Sequence, residues 1–185
     1  MNNLDSNKFG YPFHSKSDRL DIRPLVQADW KDWIHFMNDD VAIKYFPAFR
    51  VEEAEKNAKN WINKQLDRYR NGQFGMLALI DRQSGEFVGQ CGLLTQEVDG
   101  VLELEIGYSL IRKHWGKGYA TEAAQFLKQW VFKQGITKTI ISIIKTDNED
   151  SKGVALKNVM IPSTELVWKD LDVVIYRVNN PSSDL

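Results

Sequence analysis

The sequence has little sulfur chemistry to offer. Cys91 is the only cysteine among 185 residues, which excludes an internal disulfide and a thiolate-built metal site. Histidine is scarce as well. His14, His35 and His114 share no metal-ligand spacing, so no bound metal is expected. Neither sign of charge is in excess: 24 basic residues face 25 acidic ones, for a formal net charge of -1. That balance implies no large basic face, and argues against nucleic acid or an anionic membrane as partner. Long apolar runs are missing too. The longest, Ile140-Ile141 and Ile143-Ile144 interrupted by Ser142, falls far short of the roughly 20 residues that span a bilayer. Met1 to Lys8 lack the apolar centre of a signal peptide. The expectation is a cytoplasmic protein that acts on a small molecule or a peptide.

An apolar content of 43% and a charged content of 26% are ordinary for a soluble domain, and the chain is long enough to bury a core. One domain is expected over residues 19–180, with an irregular arm (1–18, carrying Phe9, Tyr11 and Phe13) and a short tail (181–185). Residues 20–25 alternate as a strand that Pro24 ends. A helix from about Ala28 places Trp30, Trp33, Ile34 and Met37 on one face. Asn38-Asp39-Asp40 breaks it, and residues 45–49 read as an aromatic loop. A second helix covers about 51–69 and stops at Asn71-Gly72. Strands over 74–81, 86–95 and 101–111 are joined by turns short enough for antiparallel hairpins. A helix with Ala120, Ala123, Ala124, Leu127 and Val131 inward follows, then a β-branched strand over 137–145. Because that strand follows the previous one through a helix, the two should be parallel. A short helix to about Asn158 and strands over 164–168 and 172–178 close the chain.

Between the fourth strand and the third helix lies Arg112-Lys113-His114-Trp115-Gly116-Lys117-Gly118-Tyr119-Ala120-Thr121. Gly116 and Gly118 permit a positive φ and leave room for a ligand. The first N–H groups of the next helix point outward, and its dipole adds roughly half a charge. Together with Lys113 and Lys117 this makes an anion site, most naturally for phosphate. The alternative is a tight turn that merely starts a core helix. A nucleotide-binding Walker loop is excluded because no Gly-Lys-Ser/Thr closes the pattern. A dinucleotide fingerprint fails because Ile140 to Ile144 occupy the place of its acid.

The order of elements resembles the GNAT superfamily of acetyl-CoA-dependent N-acetyltransferases. Glu105-Ile106-Gly107-Tyr108, Trp115 to Ala123, and Asn148-Glu149-Asp150-Ser151 with Val154-Ala155 and Lys157 are similar to the branch of ribosomal-protein-alanine N-acetyltransferases. The resemblance covers residues 20 to 179. It implies an α/β (α+β) fold whose mixed, mostly antiparallel, twisted sheet has six to seven strands and about four flanking helices. The parallel fourth and fifth strands should splay. Two departures stand out. Val159 occupies the place of a usual glycine, so Asn158 is expected to take the left-handed cap instead. No tyrosine lies on the short helix, where many relatives carry the acid, and Ser151 is the nearest hydroxyl.

The resemblance implies acetyl-CoA as cosubstrate. Leu110 and Ile111 would pair with its pantetheine arm, and the N–H groups from Lys113 through His114, Trp115, Gly116, Lys117, Gly118, Tyr119 and Ala120 to Thr121 would hold its pyrophosphate. A free alkyl amine has a pKa near about 10, so a base must deprotonate the acceptor. Glu103 and Glu105 share a strand face, and Glu105 matches the family acid. The alternative is that both are solvated strand carboxylates. Asn148 and Ser151 would orient CoA and protonate its thiolate, or else form a helix N-cap pair. Trp30, Trp33, Tyr45, Phe46 and Phe49 could line an acceptor pocket to which Asp39, Asp40, Glu103 and Glu105 attract a cation; the alternative is a core role. The acceptor is expected to be a small-molecule amine or a peptide or protein N-terminus. Cys91 gives no support for an acetyl-enzyme. A non-catalytic acyl-CoA-binding module on the same fold is the rival reading, and a homodimer is considered only by analogy.

Overall fold

The computed structural model describes Ser6, residues 10–46 and residues 48–181; Phe9, Pro47 and the tail beyond 181 lie outside the described residues. Strands β1 (Ser15–Lys16) and β2 (Leu20–Pro24) lead into helices α1 (Trp30–Met37), α2 (Asp40–Ile43) and α3 (Ala54–Arg70). The meander β3 (Met76–Asp81), β4 (Phe87–Val98), β5 (Val101–Leu110) follows. Then come α4 (Tyr119–Lys133), β6 (Thr139–Lys145), α5 (Glu149–Lys157), β7 (Ile161–Trp168) and β8 (Leu171–Asn179). Among the described residues, the eight strands form one sheet in the order β1-β2-β3-β4-β5-β6-β8-β7, and only β5 and β6 pair in parallel.

The hairpins follow from their turn residues. Asp99 and Gly100 between β4 and β5, and Lys169 and Asp170 between β7 and β8, all take positive φ. Two consecutive positive φ values suit the right-handed twist of the flanking strands. Each face of the sheet carries its own core. Trp33, Phe36 and Met37 of α1 and Ala54, Ala58 and Ile62 of α3 pack with Met76, Ala78 and Phe87 on one side. Ala123, Ala124, Leu127 and Val131 of α4 pack with Val88, Leu93, Ile106 and Ile140 on the other. Fully burying one such leucine or isoleucine contributes roughly 1.5–3 kcal/mol, so the two stripes fix which way each helix faces.

Three details depart from the pattern reading. The arm contributes a strand, β1, and the Tyr11 hydroxyl donates to Gly75 O at 2.6 Å while accepting Leu93 N–H at 3.0 Å. The polar stretch Asn38-Asp39-Asp40 ends one helix and starts another. Asp39 Oδ1 accepts the N–H groups of Val41 and Ala42 at 3.1 and 3.2 Å and so caps α2. Finally, Asn158 does not take the left-handed cap of α5. Its φ is -91°, and Val159 takes the strained position at φ 61°. The reason is that the Asn158 side chain is committed elsewhere, with Nδ2 donating to Thr121 O at 3.2 Å. Val159 N–H then bonds Leu156 O at 2.9 Å and Met160 N–H bonds Ala155 O at 3.0 Å, which is the two-bond Schellman closure.

Candidate active site

The glycine loop leaves β5 through a short 3-10 turn (Arg112–His114) and enters α4 at Gly118. Gly116 and Gly118 have φ of 73° and 83°. Glu122 N–H is the first to turn back, reaching Gly118 O at 3.1 Å. Among the described residues, no loop or cap hydrogen bond occupies the N–H groups of Gly116, Lys117, Gly118, Tyr119, Ala120 or Thr121. These unpaired donors at a helix start form a phosphate-sized anion site. The loop is braced from the turn between β1 and β2. Arg19 donates to Lys117 O at 2.9 Å and to Glu122 Oε2 at 2.7 Å, while Ser17 Oγ donates to Glu122 Oε1 at 2.6 Å.

Beside this loop the parallel strands separate. Glu105 and Ile141 are the one registered β5–β6 pair among the described residues, although β5 continues to Leu110 and β6 to Lys145. Ile111 N–H donates to Val88 O at 3.1 Å. Odd-numbered residues of β5 therefore direct their backbone groups to β4, and even-numbered ones direct theirs to β6. The N–H groups of Tyr108 and Leu110 accordingly face the gap.

A cavity of about 410 Å³ joins the loop to the gap. Its walls include Tyr108, Ser109, Leu110, Trp115, Gly116, Gly118, Tyr119, Ala120, Thr121, Asn148 and Ser151, with Asp150, Val154 and Lys157 from α5. Phe36, Ala42, Tyr45 and Phe46 close the opposite end. Asn148 Oδ1 accepts Ser151 N–H at 3.1 Å, and Tyr108 donates its hydroxyl to Ser151 O at 2.8 Å. Burial pushes the Tyr108 phenol up, so it stays a neutral donor.

Several expected site residues sit elsewhere. Ile111 has its N–H on Val88 and its C=O accepting from His114 N–H at 2.9 Å, so it offers nothing to a ligand. Leu110 O already accepts Trp115 Nε1 at 2.7 Å. Lys113 pairs with Glu86 at 2.9 Å. His114 turns inward, 2% exposed, and burial lowers its pKa, aided by Lys113 and Lys117. Glu105 is buried and is not on the cavity wall. Its Oε2 accepts Gln96 Nε2 at 2.7 Å and its Oε1 accepts Ile143 N–H at 3.4 Å. Burial is the largest influence on it and raises its pKa.

Two of the expected cation-attracting carboxylates, Glu103 and Asp39, are also engaged. Arg177 grips Glu103 with both nitrogens at 2.9 and 2.5 Å, and Arg112 pairs with Asp39 at 2.7 Å. Of the five aromatics expected at a pocket, Tyr45 and Phe46 line it. Trp33 stacks on Phe36 at 4.3 Å in the core, Phe49 stacks behind Phe46 at 5.8 Å, and Trp30 carries Lys59 over its ring at 4.5 Å. Tyr108 is a cavity-lining residue that sequence reasoning passed over. It stood in the quoted Glu105-to-Tyr108 motif, but its reach to a helix 43 positions away appears only in the fold.

A splayed parallel pair with a row of open amides beside it defines the acetyltransferase class of fold. The Acetyltransferase (GNAT) domain family matches residues 19–160, and the chain belongs to that family. It is similar to p20, an uncharacterized N-acetyltransferase of Bacillus licheniformis. The two are 27% identical over 159 residues, 84% of this chain and 85% of p20. Its fold resembles a GNAT-family acetyltransferase of Bacillus anthracis, with a TM-score of 0.75, 24% identity and coverage of 89% of this chain and 97% of that one. It also resembles RimL, a ribosomal alpha-N-protein acetyltransferase solved with coenzyme A. There the TM-score is 0.67 and the identity 16%, over 90% of this chain and 97% of RimL.

Proposed function

We propose that this acyltransferase moves the acetyl group of acetyl-CoA directly to a primary amine, either on a small molecule or at a peptide or protein N-terminus. The observation that carries the reading is the run of unpaired N–H groups from Gly116 to Thr121, opening into the same cavity as the β5–β6 gap. The diphosphate of CoA sits on those amides, and the pantetheine arm pairs with the even-numbered backbone groups of β5. RimL, with the same fold, is known with coenzyme A bound. A cytoplasmic setting belongs to the same proposal, since Cys91 is free and buried.

Within the cavity, the Tyr108 and Leu110 N–H groups are the donors available to the thioester oxygen as charge develops on it. Ser151 Oγ donates a proton or a hydrogen bond to the leaving thiolate, and the Asn148 amide nitrogen orients CoA. Glu105 takes the amine proton through water, because the residue is buried and is not among those that line the cavity. The acceptor end is aromatic, and the carboxylates flanking it, Asp39 and Asp147, are paired with Arg112 and with Lys44 and Lys145. That favours an amine borne on an apolar or peptide framework over a polyamine.

Thioester consumption measured across a panel of peptides with free N-termini, aromatic amines and polyamines tests this. Turnover with the first two groups is expected, and turnover confined to polyamines contradicts the acceptor assignment. Absence of turnover with every amine, despite tight CoA binding, contradicts catalysis itself.

A further inference from the structure

We propose that Ser142 and Glu105 form a wedge that diverts the next rung of the β5–β6 ladder and so keeps the cleft open for the thioester arm. The inference rests on the CoA-binding reading for its consequence, but not for its geometry. With Glu105 opposite Ile141 and even-numbered β5 residues facing β6, a continued parallel ladder would bring Ile143 N–H to Ile106 O and Tyr108 N–H to Ile143 O. The first of these bonds is diverted by side chains, and the second, which follows it along the ladder, is not made. Ser142 Oγ donates to Ile106 O at 2.8 Å, and Glu105 Oε1 accepts Ile143 N–H at 3.4 Å. Each partner of the missing rung is therefore held by a side chain from the opposite strand.

Both side chains are buried, Ser142 at 2% and Glu105 at 8% exposure, so water does not compete for these positions. Ser142 also interrupts the run Ile140-Ile141 and Ile143-Ile144, where a β-branched apolar residue would otherwise serve. A hydroxyl buried there needs an acceptor, and the one it takes is the carbonyl that would zip the strands. Gln96 Nε2 on Glu105 Oε2 at 2.7 Å fixes the second arm of the wedge. Ser142 is thus a positioning residue, acting on the width of the gap rather than on the reacting atoms, while Glu105 holds the gap in addition to the base role proposed above.

The test is amide hydrogen exchange on the ligand-free protein, paired with CoA calorimetry. In Ser142→Ala the rung closes, so the Ile143 and Tyr108 amides exchange at least about tenfold more slowly and the CoA Kd rises about tenfold. Ser142→Thr keeps the hydroxyl and restores both. Unchanged exchange at Ile143 and Tyr108 in Ser142→Ala overturns the wedge. If Ser142→Ala does not fold, Ser142→Cys carries the same measurement, since a thiol is a weak donor. Failure of the wild-type chain to bind CoA sinks the proposed function alone, because the exchange arm still decides the geometry.

Discussion

The hydroxyl of Tyr108 donates to the carbonyl of Ser151 at 2.8 Å, fastening β5 to the first turn of α5 across the mouth of the cleft. Asn148 Oδ1 takes the Ser151 N–H, so both backbone groups of this serine are engaged inside the protein. Its Oγ is left to the cavity. The capping of α5 and the chemistry proposed for Ser151 therefore run through different atoms of one residue.

Ser151→Ala separates them. The cap depends on the Asn148 side chain and the Ser151 N–H, so the melting temperature should stay within about 1 °C of wild type. Loss of the donor to the thiolate should lower kcat about 100-fold while leaving the CoA Kd within about threefold. Turnover measured with saturating acceptor checks this, and wild-type kcat would leave Ser151 as a cap residue only.

Glu105→Gln addresses the base through pH. Burial holds the Glu105 carboxyl protonated to higher pH in the folded protein than in the unfolded chain, where it titrates near about 4.3. Its contribution to stability is thus fully present below the unfolded value and is lost as pH rises through the folded one. At pH 7 the glutamine variant should be at least as stable as wild type. Wild-type kcat/KM should show an acid limb above the ordinary glutamate range, and the variant should lose that limb along with most of its activity. An unchanged profile assigns the base elsewhere.

Val159→Gly tests the strain at the end of α5. A β-branched residue at φ 61° costs about 1 kcal/mol or more relative to glycine. Val159 is 72% exposed, so little packing is given up. The variant should melt about 3 °C higher, read by calorimetry. A lower melting temperature would mean that the flexibility gained by the unfolded chain outweighs the relieved strain.

What the sequence made legible is local. The glycine loop, the helix stripes and the Asn148-Ser151 pair each declare themselves within a dozen residues, because dihedral demands and helical period act over that range. What it hid is the partnership of distant residues. Arg19 and Glu122 brace the loop across 103 positions, and Arg177 neutralises Glu103 across 74. Glu105 and Glu103 looked alike as alternating strand carboxylates, yet the strand order places one against Gln96 and the other against an arginine. His114 sits in a basic stretch of sequence expected to face phosphate but turns inward, since the 3-10 turn points its three side chains about a third of a turn apart and this one meets the interior. Val159 shows that a residue with a poor preference still occupies a left-handed cap when its neighbour Asn158 is claimed by Thr121 O.

Gly118→Val should abolish CoA binding. A side chain there must adopt φ 83°, and its Cβ would lie 3.3 Å from Arg19 Nη2, pushing on the residue that holds Lys117 O. Calorimetry should show at least about a 100-fold rise in Kd, and retained affinity would mean that the loop backbone is not the phosphate cradle.

The most direct measurement is a nitrogen-15 NMR titration of the wild-type chain with coenzyme A, following each backbone amide. The account predicts that the largest shifts fall on Gly116, Lys117, Gly118, Tyr119, Ala120 and Thr121, with a second set at Tyr108 and Leu110. Saturable binding that leaves those amides unmoved would contradict it.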